Sequence, residues 1–227
     1  MSVTEQRALS DQFARIGKAL GNGRRLELLE VLAQGERSVE SLAGTTGLSV
    51  ANTSQHLQHL RQAGLIIGRK AGQHVYYTLA DDRVMTLLGT IRELAEDHNS
   101  EVARLVNAFL DGDAPLEPME PDLLLEQARQ GLITVVDVRP PEEYRAGHID
   151  GAINIPLAEL QDRLPELNDG RPVVAYCRGP YCLMGHEAVR RLRQGGVDAL
   201  RLREGYPEWR QQGRPVAIPA TEPGSEG

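Results

Sequence analysis

The stretch PVVAYCRGPYCLMGHEAVRRL, residues 172–192, contains both cysteines of the chain. Its apolar run VVAY predicts a buried strand that ends at Cys177, and a helix is predicted to begin near Leu183. Cys177 and Cys182 therefore lie in one short loop between a strand and a helix. Such a pair can form a disulfide, ligate a metal, or combine a reactive thiol with an assisting thiol.

The composition is that of an ordinary globular protein, with 41% hydrophobic and 25% charged residues. No apolar run reaches the roughly 18 residues that a membrane helix needs, and the first residues lack the basic-then-apolar order of a secretion signal. We therefore expect a cytoplasmic protein without a membrane partner. In the cytoplasm, paired cysteines are more often catalytic, redox-sensing or metal-binding than structural.

Charge and periodicity divide the chain into two domains. Residues 13–79 carry eight basic and four acidic side chains, so this region can attract a phosphate backbone; residues 113–227 carry 13 basic and 19 acidic ones. Helical patterns dominate the first part, whereas short strands alternate with helices in the second. The predicted segments are a first domain (1–110), a linker rich in proline and acidic residues (111–121), a second domain (122–217) and a flexible tail (218–227).

The first domain contains the pattern of a helix-turn-helix followed by a β-hairpin. Ser49 is a good N-cap for a second helix that runs to about Gln62, and two β-prone runs join through RKAGQ, residues 69–73. Such a helix enters the major groove, and the basic hairpin contacts phosphate or the minor groove. The predicted DNA contacts are Ser49, Asn52, Thr53, Ser54, Gln55, His56, His59, Arg69 and Lys70.

The ArsR family of bacterial repressors has a recognition helix and wing that resemble residues 48–79, LSVANTSQHLQHLRQAGLIIGRKAGQHVYYTL, and opening helices similar to residues 18–43. The resemblance spans about residues 9–109. It implies a homodimer, joined through helices at about 5–20 and 83–109, on a palindromic double-stranded DNA operator. A two-fold pair of recognition helices doubles the contact area on such a site.

The same resemblance shows where a metal sensor of this family would carry its ligands. Its soft-metal cysteines would fall around Arg37, Ser38 and Val39, none of which is a thiol. For zinc, His98 and Glu101 have the spacing of one ligand pair, but residues 82–84 lack the histidine of the other. We therefore expect no metal and no cofactor, and a solvated helix position for His98.

The second domain carries three separated motifs that resemble the rhodanese (sulfurtransferase) domain over about residues 120–217. They are VVDVRPPEEYRAGHIDGAINIPLAEL (135–160), PVVAYCRGPYCLMGHEAVRRLRQGG (172–196) and LREGYPEWRQQGRPV (202–216). The whole chain is thus expected to be a mostly-α winged helix-turn-helix domain followed by an α/β rhodanese-like domain with a mostly parallel central sheet. The resemblance assigns the nucleophile to Cys177. The other residues of the expected substrate-binding loop are Arg178, Gly179, Pro180, Tyr181 and Leu183.

The loop also suits a reactive thiolate on physical grounds. Backbone N–H groups that turn inward and the N-terminus of the following helix stabilise a thiolate, which lowers the pKa expected for Cys177. Arg178 can guide an anionic sulfur donor such as thiosulfate or polysulfide. Cys177 would attack the sulfane sulfur of the donor, carry it as a persulfide and pass it to an acceptor thiol.

Loop length separates this chemistry from that of related enzymes. The loop from Cys177 to Cys182 has the six residues typical of sulfurtransferases, whereas arsenate reductases and phosphatases of the same fold have a seven-residue Cys-x5-Arg loop. Leu183 occupies the place of that arginine, so a tetrahedral oxyanion would lack its guanidinium partner.

Cys182 departs from the family pattern, which commonly has Arg, Thr or Ser at the sixth position. It is either a small, half-buried loop residue or a resolving thiol that attacks the Cys177 persulfide, releases sulfide and leaves a disulfide. A metal pair with His186 is a third alternative, with unfavourable loop geometry. Asp137, Arg139 and His148 are expected to be structural hydrogen-bonding residues, and Tyr206 and Trp209 to pack under the loop.

Two functions remain for the whole chain. The first is a transcriptional regulator of the repressor type, whose sulfurtransferase domain senses or transfers sulfane sulfur and changes operator affinity. The second is a thiosulfate or polysulfide sulfurtransferase with an uncoupled, autoregulatory DNA-binding domain. A plain disulfide redox switch at Cys177 and Cys182 competes with the first in the identity of the inducer.

Overall fold

The computed structural model describes residues 2–106, 108 and 118–218. The chain divides into two compact units, Met1–Arg92 and Glu93–Gly227. Residues 111–117 of the predicted linker and all of the predicted tail except Ile218 lie outside the described residues. Within the described ranges, no helix combines the length and apolar character needed to cross a membrane.

The first unit is mostly helical and contains a small antiparallel sheet, as predicted. Its helices are α1 (Val3–Leu20), α2 (Gly23–Leu32), α3 (Val39–Thr46), α4 (Val50–Gln62) and α5 (Arg83–His98), the last of which continues into the second unit. Its strands, in sheet order, are β1 (Arg37–Ser38), β3 (His74–Leu79) and β2 (Ile66–Ala71).

Local sequence signals set the boundaries of the helix-turn-helix and the wing. The Ser49 hydroxyl accepts a hydrogen bond from the backbone N–H of Asn52 at 3.3 Å, which caps α4 as predicted. Gly64 follows α4 with a φ of +75°, a conformation that favours glycine. Ala71 pairs with His74 across the hairpin, so its turn consists of Gly72 and Gln73.

A leucine-rich core holds α2, α3 and α4 together. Leu28, Leu29, Leu42, Leu57 and Leu60 are all fully buried in it. Leu88 and Ile91 of α5 also pack against this core. The first compact unit ends directly afterwards, at residue 92, whereas the sequence predicted a first domain that extends to residue 110.

The second unit is an α/β domain around a four-stranded parallel sheet. In sheet order its strands are β6 (Ile153–Asn154), β4 (Thr134–Asp137), β7 (Val173–Tyr176) and β8 (Ala199–Arg201). A separate antiparallel pair consists of β5 (His148–Ile149) and β9 (Val216–Ala217). Its helices are α6 (Ser100–Val106), α7 (Pro121–Arg129), α8 (Pro141–Ala146), α9 (Leu183–Gln194) and α10 (Tyr206–Gln211).

The parallel sheet is covered on both faces, and all four residues of its strand β7 are buried. Along β7, Val173 and Ala175 pack with Ala188 and Leu192 of α9 in one core. Val174 and Tyr176, which alternate with them, belong to a second core that includes Trp209 of α10. Tyr206 and Trp209 are fully buried there, where the sequence predicted them to pack.

Residue 119, in the predicted linker, pairs with the chain next to β8. The backbone N–H of Met119 donates to the carbonyl oxygen of Arg201 at 2.7 Å, and Arg203 donates back to Met119 at 3.0 Å. This bridge extends the sheet beside β8.

Candidate functional site

The two cysteines lie at the carboxyl end of β7, in the turn that leads to α9. Cys177 directly follows the buried strand and is only 3% exposed, while Cys182 is half-buried and occupies the position just before α9. The two residues are joined in a disulfide, with their Cα atoms 6.3 Å apart. The structure thus brings the predicted nucleophile and the predicted resolving thiol together in bonded form.

The loop is tightly turned against the first residues of α9. The backbone N–H of Cys182 donates to the carbonyl oxygen of Gly179 at 3.2 Å, and that of Gly185 donates to Cys182 at 3.0 Å. The N-terminus of a twelve-residue helix therefore lies beside the cysteines, where its dipole favours negative charge. Gly179, Pro180 and Tyr181 are half-buried in the turn. Leu183 is 59% exposed at the start of the helix.

The charge of Arg178 is directed into the protein. Its guanidinium forms a two-point ion pair with Glu143 of α8, with an Nη2–Oε1 distance of 2.6 Å and an Nε–Oε2 distance of 3.0 Å. The Glu143 side chain is 1% exposed and that of Arg178 is 22% exposed. The guanidinium of Arg178, which was predicted to guide an anionic donor, is thus paired with a buried carboxylate. Sequence reasoning missed Glu143 because it lies 35 residues away along the chain.

The segment before α10 supports the loop from its other side. The backbone N–H of Tyr206 donates to the carbonyl oxygen of Cys177 at 3.1 Å. Gly205 lies so close to the loop that a Cβ atom at this position would be 2.4 Å from the carbonyl carbon of Arg178. The glycine is therefore required by the close approach of two backbones.

Asp137 and Arg139 form a fully buried ion pair behind the loop. Arg139 Nη2 lies 2.5 Å from Asp137 Oδ2 and also donates to the Gly147 carbonyl oxygen at 2.8 Å. The Tyr176 hydroxyl donates to Asp137 Oδ2 at 2.6 Å, and the Arg139 guanidinium lies over the Tyr206 ring at 4.4 Å. Burial raises the pKa of Tyr176 well above its usual value, and the negative charge of Asp137 adds to the effect. These contacts fit the structural role expected of Asp137 and Arg139.

The histidines of this domain are also engaged in local packing. His148 Nδ1 lies 3.0 Å from the Tyr144 carbonyl oxygen, and its ring stacks on the Tyr144 ring with centroids 3.6 Å apart. His186 is buried, and its Nδ1 lies 3.2 Å from the Cys182 carbonyl oxygen. Among the residues that the structure describes, no group of three or more His, Cys, Asp or Glu side chains is arranged to hold a metal ion.

Helix α4 presents a polar, mostly exposed face in the first unit. Ser49, Asn52, Gln55 and His59 are exposed, and Ser54 and His56 are intermediate. Thr53, however, is fully buried, and its hydroxyl donates to the Ser49 carbonyl oxygen at 3.0 Å. The prediction that Thr53 contacts DNA is therefore wrong. Its spacing from Leu57 and Leu60, four and seven residues, places it on the same buried helix face.

His56 has an unusual setting within this face. Its Nδ1 atom is buried and has no hydrogen-bond partner. Burial lowers the pKa of His56 from its usual 6.5, and the positive charges of Arg25 and Arg24 and the neighbouring His59 lower it further. The ring is therefore held in its neutral form near neutral pH.

In the wing, the two predicted basic contacts differ in their surroundings. Arg69 pairs through Nε and Nη2 with Glu36, at 3.1 Å and 2.6 Å, and its guanidinium lies 5.5 Å from the centre of the Tyr76 ring. This partner lowers the pKa of Glu36 and was not foreseen from the sequence. Lys70 is exposed on β2.

Comparisons with known proteins agree with the two halves of this architecture. Residues 22–67 match the family described as "Bacterial regulatory protein, arsR family", and residues 120–212 match the "Rhodanese-like domain". The HTH-type transcriptional regulator Rv0324 of Mycobacterium tuberculosis is 48% identical over 209 residues, which cover 92% of each chain. The chain belongs to the ArsR family. It is a transcriptional regulator of that family and carries a rhodanese-like domain.

Other relatives match a smaller share of this ArsR-family regulator. The nodulation protein NolR of Rhizobium meliloti is 36% identical over 84 residues, which cover 37% of this chain and 69% of NolR. A solution structure of the homodimeric winged helix-turn-helix domain Mb0332 of Mycobacterium bovis is 42% identical. It covers 44% of this chain and 92% of that chain, with a TM-score of 0.41.

Proposed function

We propose that this ArsR-family regulator binds a palindromic operator as a homodimer in the cytoplasm and responds to sulfane sulfur loaded on Cys177. The exposed amide and imidazole groups of α4 suit base edges of the major groove, and Lys70 of the wing suits phosphate. Gln55 carries an exposed amide of the kind that pairs with adenine.

The helices expected at the dimer interface leave apolar side chains uncovered. Helix α1 exposes a series of them at helical spacing, and α5 adds more. They are Val3, Leu9, Phe13, Ile16, Leu87 and Leu94, exposed by 36–66%. A second copy of the chain that covers these side chains would place two α4 helices on one two-fold operator.

The disulfide between Cys177 and Cys182 is the observation that carries the sulfur chemistry. In the reduced protein, the Cys177 thiolate attacks the sulfane sulfur of a donor, a new S–S bond forms, and the donor's leaving group takes the electron pair of the broken bond. The Cys177 persulfide can then pass its outer sulfur to an acceptor thiol.

Cys182 provides a second reaction by which the Cys177 persulfide can be resolved. Its thiolate attacks Cys177 Sγ, the bond to the outer sulfur breaks, and hydrosulfide leaves with the electron pair. The product is the Cys177–Cys182 disulfide, which a dithiol reductant must reopen. The disulfide between Cys177 and Cys182 supports this role for Cys182 over that of an inert loop residue.

Mass spectrometry of the full chain tests the assignment of the two thiols. After reduction and exposure to polysulfide, the Cys182→Ser variant should retain one added sulfur atom on the peptide that carries residues 177 and 182. Wild type should instead release sulfide and end as the disulfide. A Cys177→Ser variant that still gains sulfur, or a Cys182→Ser variant that never does, would refute this division of roles.

The same disulfide favours a second candidate, a redox switch that responds to peroxide. Hydrogen peroxide would oxidise the two thiols to the disulfide and be reduced to water. The two candidates differ in Cys182→Ser, which can hold a persulfide but cannot form the disulfide. If operator affinity responds to polysulfide in this variant, the persulfide is the signal; a response of wild type to hydrogen peroxide but not to polysulfide favours the redox switch.

A further inference from the structure

The first residue after the proposed nucleophile is a cation whose charge is already neutralised. The Arg178 guanidinium approaches Glu143 with two nitrogens, at 2.6 Å and 3.0 Å, and the Glu143 side chain is almost fully buried. Drawing Arg178 toward an anionic donor would break this two-point pair with a carboxylate that is almost fully buried. Breaking a pair of this kind is strongly unfavourable.

Among the described residues, the other side chains beside the loop are apolar, or hold their charge in contacts of their own. The sixth loop position is Cys182, and the next residue, Leu183, is apolar and exposed. Arg201, whose side chain passes Gly185, donates through Nη1 to the carbonyl oxygens of Leu202 and Arg203 at 3.0 Å and 3.2 Å.

An acidic side chain also lies against the loop. A Cβ atom built on Gly179 would stand 3.6 Å from Glu208 Oε1. The Cys177 thiolate adds another negative charge when the disulfide is open. A donor that carries two negative charges therefore meets repulsion at the loop and a guanidinium that is already paired.

We propose that this loop selects an organic hydropersulfide, which carries at most one negative charge, over dianionic thiosulfate, and that Glu143 determines this preference. The inference rests on the proposed persulfide at Cys177. The thiolate attacks the outer sulfur of R–S–SH, a Cys177 Sγ–S bond forms, and the R–S bond breaks. The thiolate RS⁻ leaves with the electron pair, and the proton stays on the outer sulfur.

Loading rates of two donors on the full, reduced chain test this proposal. A Cys182→Ser background retains the added sulfur, and the probes are thiosulfate and the hydropersulfide of 2-mercaptoethanol. Intact-protein mass spectrometry gives a second-order rate constant for each donor. Their ratio cancels changes that affect Cys177 reactivity in general.

Glu143→Gln frees Arg178 and is expected to raise the ratio of the thiosulfate rate constant to the hydropersulfide rate constant by about tenfold, equivalent to about 1.4 kcal/mol. Adding Arg178→Met should abolish this gain. Glu142→Gln, at the exposed neighbouring position, is the matched control and should leave the ratio at its background value. Glu208→Gln, which retains an acceptor for the Gly205 N–H, should also raise the ratio and serves if Glu143→Gln does not fold.

An unchanged ratio in folded Glu143→Gln would overturn the proposal, as would a gain that survives Arg178→Met. If Glu143→Gln does not fold, an unchanged ratio in Glu208→Gln overturns it. Loading by neither donor in the parent background would instead refute persulfide formation itself, and the proposal with it. Loading by both donors with no effect of Glu143 leaves the proposed function intact and overturns the donor preference alone.

Discussion

Gly205 lies against Gly179 so closely that a Cβ atom on Gly205 would be 2.3 Å from the Gly179 backbone nitrogen. The φ of Gly205 is −101°, which any residue can adopt, so close approach and not backbone strain requires glycine here. The loop that holds Cys177 is thus shaped by a segment almost 30 residues further along the chain.

Gly205→Ala should therefore disturb the loop and destabilise the second domain. Because the added methyl group meets backbone atoms, we expect a loss of about 1–3 kcal/mol in the free energy of unfolding, measured with urea. Gly185→Ala is the matched control, since its Cβ would stand at an ordinary 3.4 Å from Cys177 Cβ. Equal stability of the two variants would contradict the close approach.

The buried pair of Asp137 and Arg139 predicts a second stability effect. Arg139→Met leaves the Asp137 carboxylate without its guanidinium in a fully buried position, at a cost of about 3–5 kcal/mol. Arg171→Met removes the exposed pair with Asp169 and should leave stability nearly unchanged. Urea unfolding of both variants measures the difference, and similar losses would refute the structural role of the buried pair.

The two faces of α4 predict separable effects on DNA binding and stability. Gln55→Ala removes an exposed amide and should weaken operator binding by about tenfold, or about 1.4 kcal/mol, without changing binding to unrelated DNA. Thr53→Ala should lower stability by about 1 kcal/mol, because it removes a buried hydrogen bond, and leave the affinity of the folded protein intact. Fluorescence anisotropy measures the affinity and urea unfolding the stability. An affinity loss in Thr53→Ala with none in Gln55→Ala would contradict the assignment of the exposed face to DNA.

The setting of His56 predicts a pH dependence of stability in the first domain. Because its pKa is lower in the folded than in the unfolded protein, the unfolded state binds more protons. The stability that neutral His56 contributes is therefore present above pH 6.5 and is lost as the pH falls below that value, toward the lowered pKa. Urea midpoints between pH 5 and 8 should decline less on acidification in His56→Gln, and His59→Gln, altered at an exposed ring, should behave like wild type.

The local elements of both domains could be predicted from the sequence, because neighbouring residues determine them. Ser49 marks the start of α4, and the apolar run before Cys177 marks β7. The resemblance to two known families then predicted how these helices and strands combine into two domain folds. The burial of Thr53 could also have been predicted, since it lies four and seven residues before Leu57 and Leu60 and therefore on the same helix face.

The electrostatics of the candidate site could not be predicted in the same way. From the sequence, Arg178 is expected to be a cation available to a donor. Its ion pair with Glu143 forms only in the folded protein. Arg69 is similar, because its partner Glu36 is 33 residues away. Ion pairs between distant residues depend on tertiary packing, and they determine which charges remain for DNA and for donors.

Operator affinity with and without polysulfide, measured by fluorescence anisotropy on the promoter fragment of the chain's own gene, tests the central proposal most directly. We predict a change of at least about fivefold in wild type, equivalent to about 1 kcal/mol of coupling, and none in Cys177→Ser. Unchanged affinity in wild type would show that the two domains are uncoupled. An equal change in Cys177→Ser would contradict a sulfur signal carried by Cys177.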